Sequence, residues 1–150
     1  PTRRSSDLVF GEKLEDPSSL YEDAGFKFEY HYRPTGETLR RIYASCGTYL
    51  CASWYEGLGM PSMEAMACGA ALVTTDTGGS WDYAVDGKTA LVSPPKQPEQ
   101  LADNLARVLN DEALRNKLAE NGCQKIREFS WEANSLRLEK LFKESLAEAE

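Results

Sequence analysis

The chain has 150 residues, 41% of them hydrophobic and 27% charged, with a net charge of −7 and an isoelectric point near 4.9. That is enough chain for one soluble domain with a real core. The acidic balance argues against nonspecific binding to nucleic acid or to an anionic membrane, but not against a small phosphorylated ligand, which helix N-termini bind without net positive charge.

In chain order, Leu8–Phe10 is a short apolar run, read as a strand, and the polar "GEKLEDPSS" after it is a loop. "FKFEYHY", Phe26 to Tyr32, alternates and is aromatic, as strands prefer. A short helix starts at Glu37 or Thr38 and runs through Ala44, with Leu39, Ile42 and Tyr43 on one face. "TYLCAS", Thr48 to Ser53, is a strand that ends in a loop. Pro61 fits the first turn of the next helix, which Gly69 stops after Cys68. Ala71 to Thr75 reads as a buried strand, "DTGGS" turns into a short helix near Trp81 to Val85, and Thr89 to Ser93 is a further strand. Helices follow from Glu99 to Leu109, from a cap at Asp111 to Arg127, and from a cap at Ser130 onward, where Trp131, Leu138 and Phe142 share a face expected to pack in the core, the other reading being an exposed stripe that serves as an interface.

Short apolar strands alternating with helices predict an α/β fold with a parallel sheet covered on both faces and extra helices at the C-terminus. In such a sheet a ligand crevice forms at the carboxyl ends of the strands. Three loops lie there, Trp54–Met60, Asp76–Ser80 and Pro94–Pro98. Gly57, Gly59, Gly78 and Gly79 let backbone approach a ligand in the first two, and the helix near Pro61 aims its N–H groups into the same crevice. Four cysteines (Cys46, Cys51, Cys68 and Cys123) lack C-x-x-C spacing, and His31 is the only histidine. They read as buried, reduced thiols of a cytoplasmic protein, and no metal or cofactor is expected. No run is apolar enough for a transmembrane helix, and "PTRRSSD" does not read as a signal peptide.

The stretch "WYEGLGMPSMEAMACGAALVTTDTGG" holds Glu56 and Glu64 with seven residues between them. A glycosidase-type pair is one reading, but one carboxylate is in a loop and the other in a helix first turn beside an anion site, where a nucleophile gains little. Two carboxylates alone make a weak metal site. A third reading is hydroxyl recognition, since a carboxylate accepts two hydroxyl hydrogen bonds at once, as from a ribose or sugar ring. Against all three, a glutamate in a helix first turn often only complements the dipole. Trp54 and Tyr55 could stack on a sugar or base or pack at the strand end, and Trp81 and Tyr83 could face the core or a partner lobe.

"EGLGMPSMEAMACGAALVTTDTGG" resembles the E-x7-E signature of glycosyltransferase family 4, whose members have the two-lobed GT-B fold. "LRRIYASCGTYLCAS" before it, and "YAVDGKTALVSPPKQPEQLADNLARVLND" and "FSWEANSLRLEKLF" after it, resemble the family in the same order, so the likeness spans roughly residues 38–146. It implies a Rossmann-like donor-binding lobe over residues 1–150 and a retaining hexosyl transfer from a nucleotide diphosphate sugar, without a carboxylate nucleophile. By the same likeness Glu64 would bind the donor ribose and Glu56 the donor sugar at the reaction centre. Backbone around Gly57, Leu58, Gly59 and Met60 would hold the sugar and diphosphate, with Thr77, Gly78 and Gly79 lining the crevice. The acceptor-binding N-terminal lobe of the family has no counterpart in this sequence, and through it any peripheral membrane association would run. The family's cationic pair for the diphosphate is not matched either, since the spacing of Arg3 and Arg4 does not fit it. Two further readings remain, a nucleotide-sugar epimerase of the same architecture and an interaction domain that has lost its chemistry.

Overall fold

A computed structural model describes residues 7–11 and 28–148. Arg3, Arg4 and the loop after the first strand lie outside them. The elements are β1 (Asp7–Gly11), β2 (Phe28–Tyr32), α1 (Gly36–Ser45), β3 (Thr48–Cys51), α2 (Met60–Ala67), β4 (Ala71–Thr75), β5 (Ala90–Ser93), α3 (Pro98–Asn110), α4 (Glu112–Ile126) and α5 (Trp131–Ala147).

Among the described residues every strand pairing is parallel. β1 pairs with β2, and β3, β4 and β5 form a second ladder with β4 in the middle. All five residues of β4 are buried, which explains why "ALVTT" carries no charged residue and does not alternate between apolar and exposed polar positions: both faces are covered. On one face Ala71, Val73 and Leu91 pack with Leu101 and Val108 of α3 and Leu118 and Ala119 of α4. On the other, Leu72 and Ala90 pack with Met63 and Met66 of α2 and with Tyr83 and Ala84. Tyr43 of α1 closes a third cluster with Ala65 and Ala70. The expected α/β class with a parallel sheet between helices is what forms.

The two expected helix caps are present. Asp111 accepts from the Leu114 N–H at 2.9 Å, and Ser130 accepts from the Ala133 N–H at 3.1 Å. Asp111→Ala leaves that N–H without its partner and should lower stability by about 1 kcal/mol. At this chain length the melting temperature should fall by about 2–4 °C in a thermal scan.

Three expectations need correction. The segment near Trp81 to Val85 is not an α-helix but a single 3-10 turn, Gly79–Asp82. The Thr89 hydroxyl donates to the Tyr83 carbonyl at 2.6 Å and accepts from the Val85 N–H at 2.8 Å, so it takes the backbone groups a continuing helix would need. The apolar face of α5 is not core: Trp131 is 86% exposed and Phe142 61%, and no residue of the helix is buried. Periodicity reports an apolar stripe but not whether its partner lies within the same sequence. The four thiols are free as expected, but each is partly exposed rather than buried.

Candidate functional site

The crevice is built where β3 and β4 end. β3 gives way to Ala52 and Ser53, and the chain turns through Trp54 and Tyr55, both exposed, to Glu56. The Thr75 hydroxyl donates to the Ser53 carbonyl and ties this loop to the end of β4. The Glu56 N–H donates to the Thr77 carbonyl at 3.1 Å, and Glu56 makes a parallel bridge with Gly78. The two glycine loops therefore lie side by side. They come closest at Gly79, where a Cβ would fall on the Gly57 carbonyl. Asp76 shapes the second loop by accepting from the Gly78 N–H at 3.1 Å and the Trp81 indole N–H at 2.5 Å.

α2 starts from Gly59, whose φ of +73° is left-handed and whose missing Cβ leaves room for the Tyr83 hydroxyl 2.5 Å from where it would sit. The Gly59 carbonyl then accepts from the Ser62 and Met63 N–H groups. With the helix beginning at Met60, Glu64 is its fifth residue and no acid stands in the first turn. This corrects the expectation that Glu64 sits in the first turn, and it weakens the helix-dipole reading, because that effect fades beyond the first turn.

Both carboxylates are partly exposed, and each is held on one oxygen by a protein hydroxyl. Ser53 Oγ donates to Glu56 Oε1 at 2.7 Å, and the Tyr43 hydroxyl donates to Glu64 Oε2 at 3.3 Å. Tyr49 lies close enough to both carboxylates for each to act on its phenol. Of the other expected site residues, Leu58, Met60 and Gly78 are exposed. Gly57 is open, with nothing within 4 Å of where its Cβ would be, whereas Gly59 is buried. Thr77 is buried as well, and its hydroxyl finds no hydrogen-bond partner among the described residues. Trp81 faces out and Tyr83 faces in. The loop after β5 helps line a cavity of about 320 Å³ with Ala52, Trp54, Thr75 and Leu101, where Lys96 Nζ stands 5.0 Å from the centre of the Trp54 ring.

Three phenols lie near these groups: Tyr43 meets Tyr49 edge-on, and the Tyr83 hydroxyl stands against Gly59. Burial is the first cause that raises each of their pKa values. Tyr49 is pushed up to about 12, with Cys51, Glu56 and Glu64 adding to the shift. For Tyr43 the further causes are Tyr49 and Glu64; for Tyr83 the hydrogen bond with Ser62 offsets part of the rise. The folded protein thus holds these protons more tightly than the unfolded chain, where a tyrosine ionises at 10.0. The stability they contribute is complete below pH 10 and is lost as pH rises from 10 toward 12. Denaturation midpoints measured between pH 8 and pH 11.5 should fall as pH rises, most steeply above pH 10, because the partly buried Cys68 thiol adds a smaller loss above pH 9.

A parallel α/β sheet with two glycine loops beyond the carboxyl ends of its strands is the arrangement in which an α/β fold forms a ligand crevice. The family described as "Glycosyl transferases group 1" matches residues 11–125, and the chain belongs to it. An uncharacterized glycosyltransferase of Methanocaldococcus jannaschii is 32% identical over 112 residues, covering 75% of this chain and 32% of the relative. The D-inositol 3-phosphate glycosyltransferase of Corynebacterium jeikeium is 33% identical over 138 residues, covering 89% of this chain and 32% of the relative. The chain thus spans about a third of the length of these curated relatives. Sucrose-phosphate synthase from Thermosynechococcus elongatus superposes with a TM-score of 0.80 at 26% identity, over 93% of this chain and 38% of that one. An Anabaena protein solved with UDP and glucose has the same fold, with a TM-score of 0.73 at 16% identity over 95% of this chain and 40% of that one.

The sequence pointed to Glu56, Glu64 and the glycines by type and spacing, but it missed Tyr43, Ser53 and Tyr83. Tyr43 lies on the apolar face of α1 and reads as packing; only its register opposite Glu64 distinguishes it. Among the described residues no helix is long and apolar enough to cross a membrane.

Proposed function

We propose that this chain is the donor-binding lobe of a retaining glycosyltransferase that moves a hexosyl group from a nucleoside diphosphate sugar to an acceptor held by a second lobe. The observation that carries the reading is the pair of partly exposed carboxylates, each tied on one oxygen by a protein hydroxyl. A tethered carboxylate keeps acceptor capacity in a fixed direction, as recognition of a diol requires. Glu64 takes the ribose hydroxyls, and Glu56 contacts the donor sugar at the reaction centre. The backbone from Gly57 through Leu58, Gly59 and Met60 receives the sugar and diphosphate, with Thr77, Gly78 and Gly79 along the same wall. No metal or cofactor takes part. Catalysis rests on positioning and on stabilising the departing diphosphate, whose oxygen takes the acceptor proton. The bare apolar face of α5 is the surface on which the second lobe rests, and membrane association, if the parent has it, belongs to that lobe. The expected place of action is the cytoplasm, which suits four free thiols.

The test is calorimetric titration of the chain with UDP, GDP and ADP and their hexose conjugates. Saturable binding of one base, tighter with the sugar attached, is the expected outcome. An absence of heat with every nucleotide, from a chain whose melting transition is intact, would sink the proposal.

A further inference from the structure

Glu64 stands partly exposed in the middle of α2, and a glutamate on a helix surface has three free torsions. Its affinity for a diol depends on how many of those conformers point the right way. One contact in the structure limits them. Tyr43, 2% exposed, comes from a different helix, α1, and donates its hydroxyl to Glu64 Oε2 at 3.3 Å. The phenol is itself held in place. Its ring meets Tyr49 edge-on, with centroids 5.8 Å apart and planes at 76°, and packs against Ala65 and Ala70 on either side of the α2 terminus. From these contacts we infer that Tyr43 is the positioning residue for Glu64, fixing the carboxylate so that its free oxygen meets a ribose diol and thereby setting preference for ribonucleotides over deoxyribonucleotides.

The inference rests on the donor-site reading above and adds to it a residue that does not touch ligand. A tyrosine hydroxyl is protonated throughout the neutral range and so donates to the carboxylate there. A carboxylate has about four lone-pair sites, and Tyr43 occupies one of them, leaving enough for two hydroxyls.

The experiment compares the nucleoside diphosphate that binds the native chain with its 2′-deoxy form, by calorimetry, in four proteins: native, Tyr43→Phe, Glu64→Ala, and the chain with 4-aminophenylalanine at position 43. Tyr43→Phe removes one oxygen and keeps the ring, and the melting temperature of each variant is recorded. The native chain should favour the ribonucleotide by about tenfold, the value of a hydrogen bond to a charged acceptor. In Tyr43→Phe that preference should shrink to about twofold or less, with deoxynucleotide affinity falling by a smaller factor because its 3′-hydroxyl still meets Glu64, and the amino donor should restore the preference. A merely structural role would weaken both nucleotides equally and leave their ratio intact. An unchanged ratio in Tyr43→Phe, beside a lost ratio in Glu64→Ala, overturns the inference alone. An unchanged ratio in Glu64→Ala overturns the donor-site reading beneath it. Should Tyr43→Phe lose its melting transition, the 4-aminophenylalanine chain decides, because an intact ratio there supports a donor role and a lost one removes it.

Discussion

Glu64→Ala should reduce affinity for the bound nucleoside diphosphate roughly a hundredfold or more, with little change in melting temperature. Two diol hydroxyls donating to one charged acceptor are worth about 1.5–3 kcal/mol each, and every 1.4 kcal/mol is a factor of ten in affinity. The stability side is nearly balanced. Alanine is the better helix former in the middle of α2. The hydrogen bond from Tyr43 is lost, at a cost of about 1 kcal/mol. Because Glu64 is the fifth residue of α2, it contributes little through the helix dipole, so a dipole role would not produce the predicted pattern. Calorimetry and a thermal scan on the same preparations separate the cases. An affinity within threefold of native would remove Glu64 from the site.

How much of this was legible beforehand depends on the physical range of each signal. β4 and α2 declared themselves, since a short uncharged β-rich run and a proline followed by a glycine stop are local facts. The caps at Asp111 and Ser130 were equally local. The helix expected near Trp81 failed because Thr89, six residues beyond Tyr83, captures its carbonyl, and no window centred on the turn contains that competition. α5 failed for a different reason. Its apolar stripe is real, but burial needs a second surface, and none of the described residues covers it. Within the site, the carboxylates were visible from their spacing, while the hydroxyls that tether them differ in reach. Ser53 is three residues from Glu56 and could have been found; Tyr43 is twenty-one residues from Glu64 and joins it only through the packing of α1 on α2.

Gly79→Ala should be the most damaging single methyl in the crevice. Its φ is not left-handed, so the backbone angle alone would tolerate alanine; what forbids it is space. The added Cβ falls on the Gly57 carbonyl, with the Glu56 carbonyl 2.9 Å away, and both are backbone that no rotamer change can move. The two loops must part. Parting them breaks the bridge between Glu56 and Gly78 and the bond from the Glu56 N–H to the Thr77 carbonyl, which together fix where Glu56 stands. Forcing extra volume into a packed site costs about 1–3 kcal/mol, so the melting temperature should fall by several degrees. Affinity for the sugar conjugate should fall toward that of the bare nucleotide as Glu56 is displaced. Gly57→Ala is the matched control. Its Cβ meets nothing within 4 Å, so the same methyl on the facing loop should leave stability near native. If the two variants melt alike and bind alike, the close approach of the loops does not hold Glu56 in place, and the preformed crevice proposed here loses its basis.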